Sequence, residues 1–229
     1  MPINATPPDL AAVLFDMDGT LVDSEKVWTV ALNELADRLG GRLSDEARAR
    51  MVGTNMSQSM TILHVDIGCT DLDPTVSVDW LETRMGELFA AGLVWKPGAR
   101  DLLAAVSAAG IPAALVTATR RRLVETALET IGRQYFAAVV CGDDISETKP
   151  HPEPYRTAAA LLDAPPARCV AIEDSPTGLA SATAAGCVVL GVPSEVDLAG
   201  TPGVTLVDSL IGIDVPYLRR LAATAAATR

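Results

Sequence analysis

Short apolar runs recur along the chain, and longer stretches rich in alanine and leucine with helical periodicity separate them. This alternation is typical of an α/β protein whose strands form a parallel sheet flanked by helices. In such sheets the ligand chemistry lies at the carboxyl ends of the strands. The strands are predicted at residues 11–15, 111–117, 137–141, 169–173, 187–192 and 204–207.

Helices are predicted between these strands, and glycine and proline mark several of their ends. Gly110 and Gly186 stand where helix C-caps are expected, while Pro154 and Pro176 suit first helical turns. A last, alanine-rich helix is predicted from Val215 to Thr228. The other helices are predicted at residues 98–109, 120–131, 153–162 and 176–185.

Residues 22–95 depart from this alternation, because they show helical periodicity throughout and contain no convincing strand. The simplest interpretation is a helical insertion between the first strand and the first helix of the core. The chain is therefore predicted to form a core domain of residues 10–21 and 96–229, and an α-helical cap domain of residues 22–95. We expect the cap to open and close over the core through hinges at these junctions.

The composition disfavours several classes of partner. The formal net charge is −11, from 29 acidic and 18 basic side chains, which opposes binding to nucleic acid or to an anionic membrane surface. No segment has the pattern of a signal peptide or of a membrane span. The four cysteines form no C-x-x-C pair, so reduced thiols are favoured over a zinc site. We expect a cytoplasmic protein that is a monomer or a weak homodimer.

The run V-L-F-D-M-D-G-T at residues 13–20 begins as a buried strand and ends with two carboxylates, Asp16 and Asp18. Strand alternation points both side chains the same way. Because like charges on one face repel, this arrangement favours a bound cation between them or a carboxylate with a raised pKa. An ordinary Asp-Gly turn at a strand end is the alternative that these residues alone leave open.

Polar side chains follow the other predicted strands as well. The second strand ends at Thr117, Lys149 follows the third within D-D-I-S-E-T-K-P, and the fourth ends at Glu173 and Asp174. Taken singly, a strand threonine, a surface lysine and a helix-capping acidic pair are all ordinary. Independent accidents do not fall at consecutive strand ends, so the sequence predicts one shared site.

Four motifs in this chain resemble those of the haloacid dehalogenase superfamily. They are D-M-D-G-T-L, the strand-end threonine, the lysine before proline and E-D-S-x-x-G. They occur in the same order and extend from the first strand to beyond the fourth. The resemblance implies a Rossmann-like core with an inserted α-helical cap. It also implies an enzyme of the group that contains β-phosphoglucomutases and sugar-phosphate phosphatases.

The resemblance implies a role for each motif residue. Asp16 would be the nucleophile that forms an aspartyl-phosphate, and Asp18 the general acid and base. Thr117 and Lys149 would bind the transferring phosphoryl group.

A magnesium ion (Mg2+) is implied by the same resemblance. Its ligands would be Asp16, the backbone carbonyl of Asp18, the carboxylate of Asp174 and, through water, Glu173. The substrate would be a small phosphorylated metabolite. The residues expected to contact it are Gly19, Glu25, Trp28, Gly53, Thr54, Asn55, Ala118 and Thr119.

Two other functions are left open by these motifs. In phosphomutases of the β-phosphoglucomutase type, a cap histidine follows the D-x-D motif and a cap arginine follows a G-x-S loop; the corresponding residues here are Trp28 and Met56. A cap without a cation would retain a bisphosphate poorly, so water is the expected acceptor. The form D-S-E-x-x-W resembles sugar-phosphate phosphatases and favours a hexose or deoxyhexose phosphate. A non-catalytic protein that binds a phosphorylated ligand or a partner on this fold is the other alternative.

Overall fold

Six strands form a single parallel sheet in the computed structural model, which describes residues 10–51, 54 and 56–227. Their spatial order is β3-β2-β1-β4-β5-β6, and each neighbouring pair is parallel. The predicted α/β class with a parallel sheet is therefore confirmed. The strands are β1 (Ala12–Phe15), β2 (Ala113–Val116), β3 (Ala138–Val140), β4 (Cys169–Glu173), β5 (Val188–Gly191) and β6 (Thr205–Leu206).

The helices in the described ranges are α1 (Glu25–Arg38), α2 (Asp45–Met51), α3 (Met56–Asp66), α4 (Pro74–Ala90), α5 (Ala99–Ala108), α6 (Arg121–Ile131), α7 (Glu153–Leu161), α8 (Pro176–Ala185) and α9 (Val215–Ala227). Gly186 ends α8 in the left-handed conformation, as its position in the sequence predicts. Across those same ranges, no helix combines the length with the apolar character that crossing a membrane requires.

Strand β1 lies at the centre of the sheet and is fully buried on both faces. Val13 and Phe15 belong to one apolar cluster, while Ala12 and Leu14 belong to another on the opposite face. Burial on both faces explains why β1 is a continuous apolar run rather than an alternating one. The D-x-D motif, which carries the two carboxylates, thus directly follows the end of this central buried strand.

Helices α1–α4 lie between β1 and α5 in the chain, and we refer to them as the cap helices. Their apolar side chains join the same cluster as Phe15. The two connections to the rest of the chain run side by side, because Val22 forms an antiparallel bridge with Trp95 and Lys96 N donates to Leu21 O over 2.9 Å. The division into two domains at residues 22 and 95 stays a prediction.

Candidate active site

The order of the strands brings three of the predicted motifs to one edge of the sheet. Strand β1 lies between β2 and β4, so the residues that follow it face those at the ends of its two neighbours. Asp16 N donates to Ile172 O over 3.0 Å, and Thr117 N donates to Val140 O over 3.0 Å. Both residues therefore continue the backbone hydrogen bonding of the sheet by one position, which fixes their side chains at the carboxyl ends of the strands.

Lys149 lies at the centre of a buried polar network. Its Nζ donates to Asp16 Oδ1 over 2.5 Å, to Glu173 Oε1 over 2.6 Å and to Val116 O over 2.9 Å. Burial alone would lower the pKa of Lys149, but the carboxylates of Asp16 and Glu173 outweigh it and the net shift is upward. The ammonium group therefore stays charged and orients the Asp16 carboxylate.

Three buried carboxylates, those of Asp16, Glu173 and Asp174, offer oxygen atoms that lie within 4.8 Å of one another. Burial, followed by the charges of Glu173 and Asp18, raises the pKa of Asp16 to about 8 against the opposing effect of Lys149. Burial and the charges of Asp16 and Glu173 also raise the pKa of Asp174 well above its ordinary value. One ammonium does not balance three carboxylates, and an all-oxygen donor set fits a hard divalent cation.

The turn after β1 places Asp174 and Glu25 close to the backbone of Gly19. Gly19 has a φ of +79°, and a Cβ atom built on it would lie 2.1 Å from Asp174 Oδ2 and 3.1 Å from Glu25 Oε1. Glycine is thus required both by the left-handed backbone and by the close approach of the carboxylate. Thr20 Oγ1 donates to Asp174 Oδ1 over 3.2 Å and holds that carboxylate against the turn.

The Asp18 carboxylate accepts hydrogen bonds from both sides of the site. Its Oδ1 accepts from Ser24 Oγ over 2.5 Å and from Trp28 Nε1 over 3.3 Å. Its Oδ2 accepts from Thr119 Oγ1 over 2.7 Å and from Thr117 Oγ1 over 3.3 Å. Asp18 therefore lies between the first cap helix and the loop that follows β2.

A single pocket unites most of the predicted site residues. Glu173 is fully buried behind it, and Gly19 supports it through the contact with Asp174. Gly53 and Asn55 lie outside the described residues. The predicted residues that line the pocket are Asp16, Asp18, Glu25, Trp28, Thr54, Thr117, Ala118, Thr119, Lys149 and Asp174.

Comparison with known proteins decides the family. The model of the haloacid dehalogenase-like hydrolases matches residues 13–192. The chain belongs to this family. Protein CbbY of Rhodobacter capsulatus is 34% identical over 197 residues, which cover 82% of this chain and 87% of that protein. Hexitol phosphatase A of Escherichia coli K12 is 33% identical over 199 residues, which cover 86% and 88%.

A solved structure of another protein has a fold similar to that of this haloacid dehalogenase-like hydrolase. CbbY from Rhodobacter sphaeroides, in complex with xylulose-(1,5)bisphosphate, matches with a TM-score of 0.80 and 29% identity over 91% of this chain and 99% of that one. The predictions of a Rossmann-like core and of the superfamily are confirmed. The predicted enzyme class, a phosphoric monoester hydrolase, is confirmed as well.

Sequence reasoning about this hydrolase missed a cation in the cap helices. Trp28 and Met56, the two positions compared with the mutases, carry no cation, but Arg48 on α2 lines the pocket and brings one there from another part of the cap helices. Ala47 and Met51 are the buried residues of α2, and Arg48 stands beside them on the same side of the helix. That one-turn spacing is the signal in the sequence, but it is weak in a helix of seven residues.

The structure adds further residues to the pocket and its surroundings. Arg120, the first of three consecutive arginines at residues 120–122, and Glu195, from the segment after β5, also line the pocket. Ser24 reaches Asp18, and the fully buried Tyr155 on α7 donates through its hydroxyl to Glu173 Oε1 over 2.5 Å. Ser24 belongs to the D-S-E-x-x-W form noted in the sequence, whereas no motif marks Glu195 or Tyr155, since their positions depend on how separate elements pack.

Tyr155→Phe is expected to lower the free energy of unfolding by about 1.5–3 kcal/mol, the usual contribution of a hydrogen bond to a charged group. The change keeps the ring in its apolar cluster but removes the hydroxyl that donates to Glu173. Urea denaturation measures the effect. Tyr217→Phe on α9, where the ring is only half buried beside Arg220, is the matched control and should leave stability nearly unchanged. Equal effects in both variants would contradict the role of the Tyr155 hydroxyl.

Proposed function

We propose that this protein is a Mg2+-dependent phosphatase that transfers the phosphoryl group of a small sugar or polyol phosphate to water through an aspartyl-phosphate on Asp16. The observation that carries the proposal is the convergence of Asp16, Asp18 and Lys149 in one pocket beside the acidic cluster. The relatives support the substrate class, since one is named a hexitol phosphatase and another a phosphorylated carbohydrates phosphatase.

The first step is an attack by a carboxylate oxygen of Asp16 on phosphorus. A new P–O bond forms to Asp16 while the ester P–O bond breaks, and Asp18 gives a proton to the departing alcohol oxygen. Lys149 holds Asp16 in place through the contact of 2.5 Å. In the second step Asp18 takes a proton from water, the water oxygen attacks phosphorus, and the carboxylate of Asp16 is released with inorganic phosphate.

The loop after β2 is suited to bind the oxygens of the transferring group. Thr117 Oγ1 accepts from Thr119 N over 3.0 Å, which orients the hydroxyl at the end of the strand. The Thr117 hydroxyl donates to Asp18 Oδ2 over 3.3 Å in this structure and can turn toward a phosphoryl oxygen, where the backbone N–H of Ala118 is a second donor. The three N–H groups of Lys149 are bound to Asp16, Glu173 and Val116 O, so its ammonium contributes positive charge at the place where negative charge develops. These donors bind the phosphoryl group before and during transfer.

The acidic cluster fits Mg2+, because this ion prefers oxygen ligands such as carboxylates. The single ammonium group of Lys149 leaves the three carboxylates with an excess of negative charge, which a divalent cation would offset. Asp16 and Asp174 would bind it with the backbone carbonyl of Asp18, and Glu173 would complete the environment. When bound, the ion supplies positive charge that offsets the repulsion between an anionic nucleophile and an anionic ester.

The test is release of inorganic phosphate from a panel of sugar and polyol phosphates, with and without Mg2+. We expect activity only with the ion, and we expect Asp174→Asn to weaken apparent Mg2+ affinity at least about 10-fold. A second readout is the melting temperature, which Mg2+ should raise in the wild type far more than in Asp174→Asn. Asp79→Asn, exposed on α4, is the control and should behave as the wild type. Full activity after chelation would refute the metal requirement, and conversion of glucose 1-phosphate to glucose 6-phosphate would identify a mutase instead.

A further inference from the structure

The positive charges that line the pocket are all paired. Among the described residues these are Arg48, Arg120 and Lys149. Lys149 is bound to Asp16 and Glu173, and Arg120 Nη1 donates to Glu82 Oε1 over 2.7 Å. Arg48 is the one that the cap helices contribute, so its partner decides what charge the cap side of the pocket offers to a substrate.

Arg48 pairs with Glu195, which comes from the segment after β5. Its Nη2 lies 3.2 Å from Glu195 Oε2 and 3.4 Å from Oε1, and its Nε donates to Thr29 Oγ1 over 3.0 Å. The Arg48 side chain is only 17% exposed and that of Glu195 35% exposed. The guanidinium is thus oriented toward a carboxylate rather than left open to a ligand anion.

The surroundings of this pair add negative charge and apolar surface. Glu25 also lines the pocket, and its Oε2 accepts from Ser194 Oγ over 2.5 Å, one residue before Glu195. Trp28, Leu32 and Met51 form an apolar wall. The pocket thus combines an apolar wall with paired charges and hydroxyl groups. This combination suits a neutral polyol, which presents both carbon atoms and hydroxyl groups.

We propose that Glu195, by pairing with Arg48, restricts this enzyme to phosphate monoesters whose remaining part is uncharged, and excludes substrates that carry a second phosphate. This inference rests on the proposed phosphatase function. A second phosphate would have to displace Glu195 from Arg48 and then lie close to the carboxylates of Glu195 and Glu25. Specificity of this kind comes from a repulsive element and not only from attraction to the correct substrate.

The experiment compares kcat/KM for fructose 6-phosphate and fructose 1,6-bisphosphate in the wild type, Glu195→Gln, Arg48→Gln and the double variant. The wild type should prefer the monophosphate. Glu195→Gln frees Arg48 and should raise the ratio of bisphosphate to monophosphate efficiency by about 10-fold, equivalent to about 1.4 kcal/mol. The double variant should lose this gain, because the freed cation is what binds the second phosphate. Glu34→Gln, which breaks a comparable ion pair with Arg84 away from the pocket, should leave the ratio unchanged.

Hydrolysis of p-nitrophenyl phosphate by every variant distinguishes an incorrect role of Glu195 from an incorrect phosphatase function. If that ester is cleaved but the ratio is the same in Glu195→Gln as in the wild type, or the wild type already prefers the bisphosphate, the role of Glu195 is overturned and the phosphatase function stands. If the wild type cleaves no phosphate ester in the presence of Mg2+, both the function and the inference that rests on it fail.

Discussion

Asp16→Asn is expected to lower kcat by about 10⁴- to 10⁶-fold, the range found when the nucleophile of a covalent mechanism is removed. An amide at this position still accepts the hydrogen bond from Lys149 Nζ, but it lacks the charge that attacks phosphorus. Steady-state release of phosphate from a sugar phosphate measures the loss. No burst of product should precede it, because no covalent intermediate forms.

The loss should not come from unfolding, and this makes the prediction specific. Asp16 is one of three buried carboxylates around a single ammonium group, so its neutralisation relieves repulsion in the metal-free protein. The melting temperature of metal-free Asp16→Asn should therefore equal or exceed that of the wild type. Asp79→Asn again provides the control for an exposed Asp→Asn change. Turnover near the wild-type rate in Asp16→Asn would assign the nucleophile elsewhere.

The parts of the site that follow from local sequence could be predicted well. A buried strand that ends in D-x-D must place Asp16 at an edge of the sheet, and the same holds for Thr117 and Glu173 at the ends of β2 and β4. Parallel pairing then brings these ends together whatever the details of the loops. The predicted strand bounds agree with the structure to within two residues, and those of β4 agree fully. Thr117, for example, directly follows β2 rather than ending it.

The cap side of the pocket could not be predicted in the same way. Arg48 reaches the pocket only because α2 packs over the core, and Glu195 only because the segment after β5 meets that helix. Neither contact is encoded in a periodicity or a short motif, since the two residues lie 147 positions apart. Tyr155 was equally hidden, because a buried tyrosine on α7 is indistinguishable in sequence from an ordinary core residue. In the proposed function, substrate selection therefore depends on tertiary packing, whereas phosphoryl transfer depends on residues at strand ends.

Asp18→Asn is expected to lower kcat for a sugar phosphate by about 10²- to 10⁴-fold, the usual contribution of a general acid or base. The local geometry should survive this change. The indole N–H of Trp28 can only donate, so the amide oxygen should face Trp28 and Ser24 while the amide N–H₂ faces Thr117 and Thr119, whose hydroxyls can turn to accept. What is lost is the transferable proton, not the fold of the turn.

The leaving group decides how this loss divides between the two steps. An alkoxide from a sugar phosphate needs the proton of Asp18, whereas the weakly basic p-nitrophenolate leaves without it, so the first step should be impaired far more for the sugar phosphate. The second step lacks its base with either ester, so the aspartyl-phosphate should accumulate with p-nitrophenyl phosphate and give a burst of about one p-nitrophenolate per enzyme. Rapid mixing measures this burst, and Asp16→Asn, which should show none, is the control. If kcat fell equally with both esters and no burst appeared, Asp18 would not be the acid and base. A residue that only shapes the pocket does not distinguish a basic leaving group from a weakly basic one.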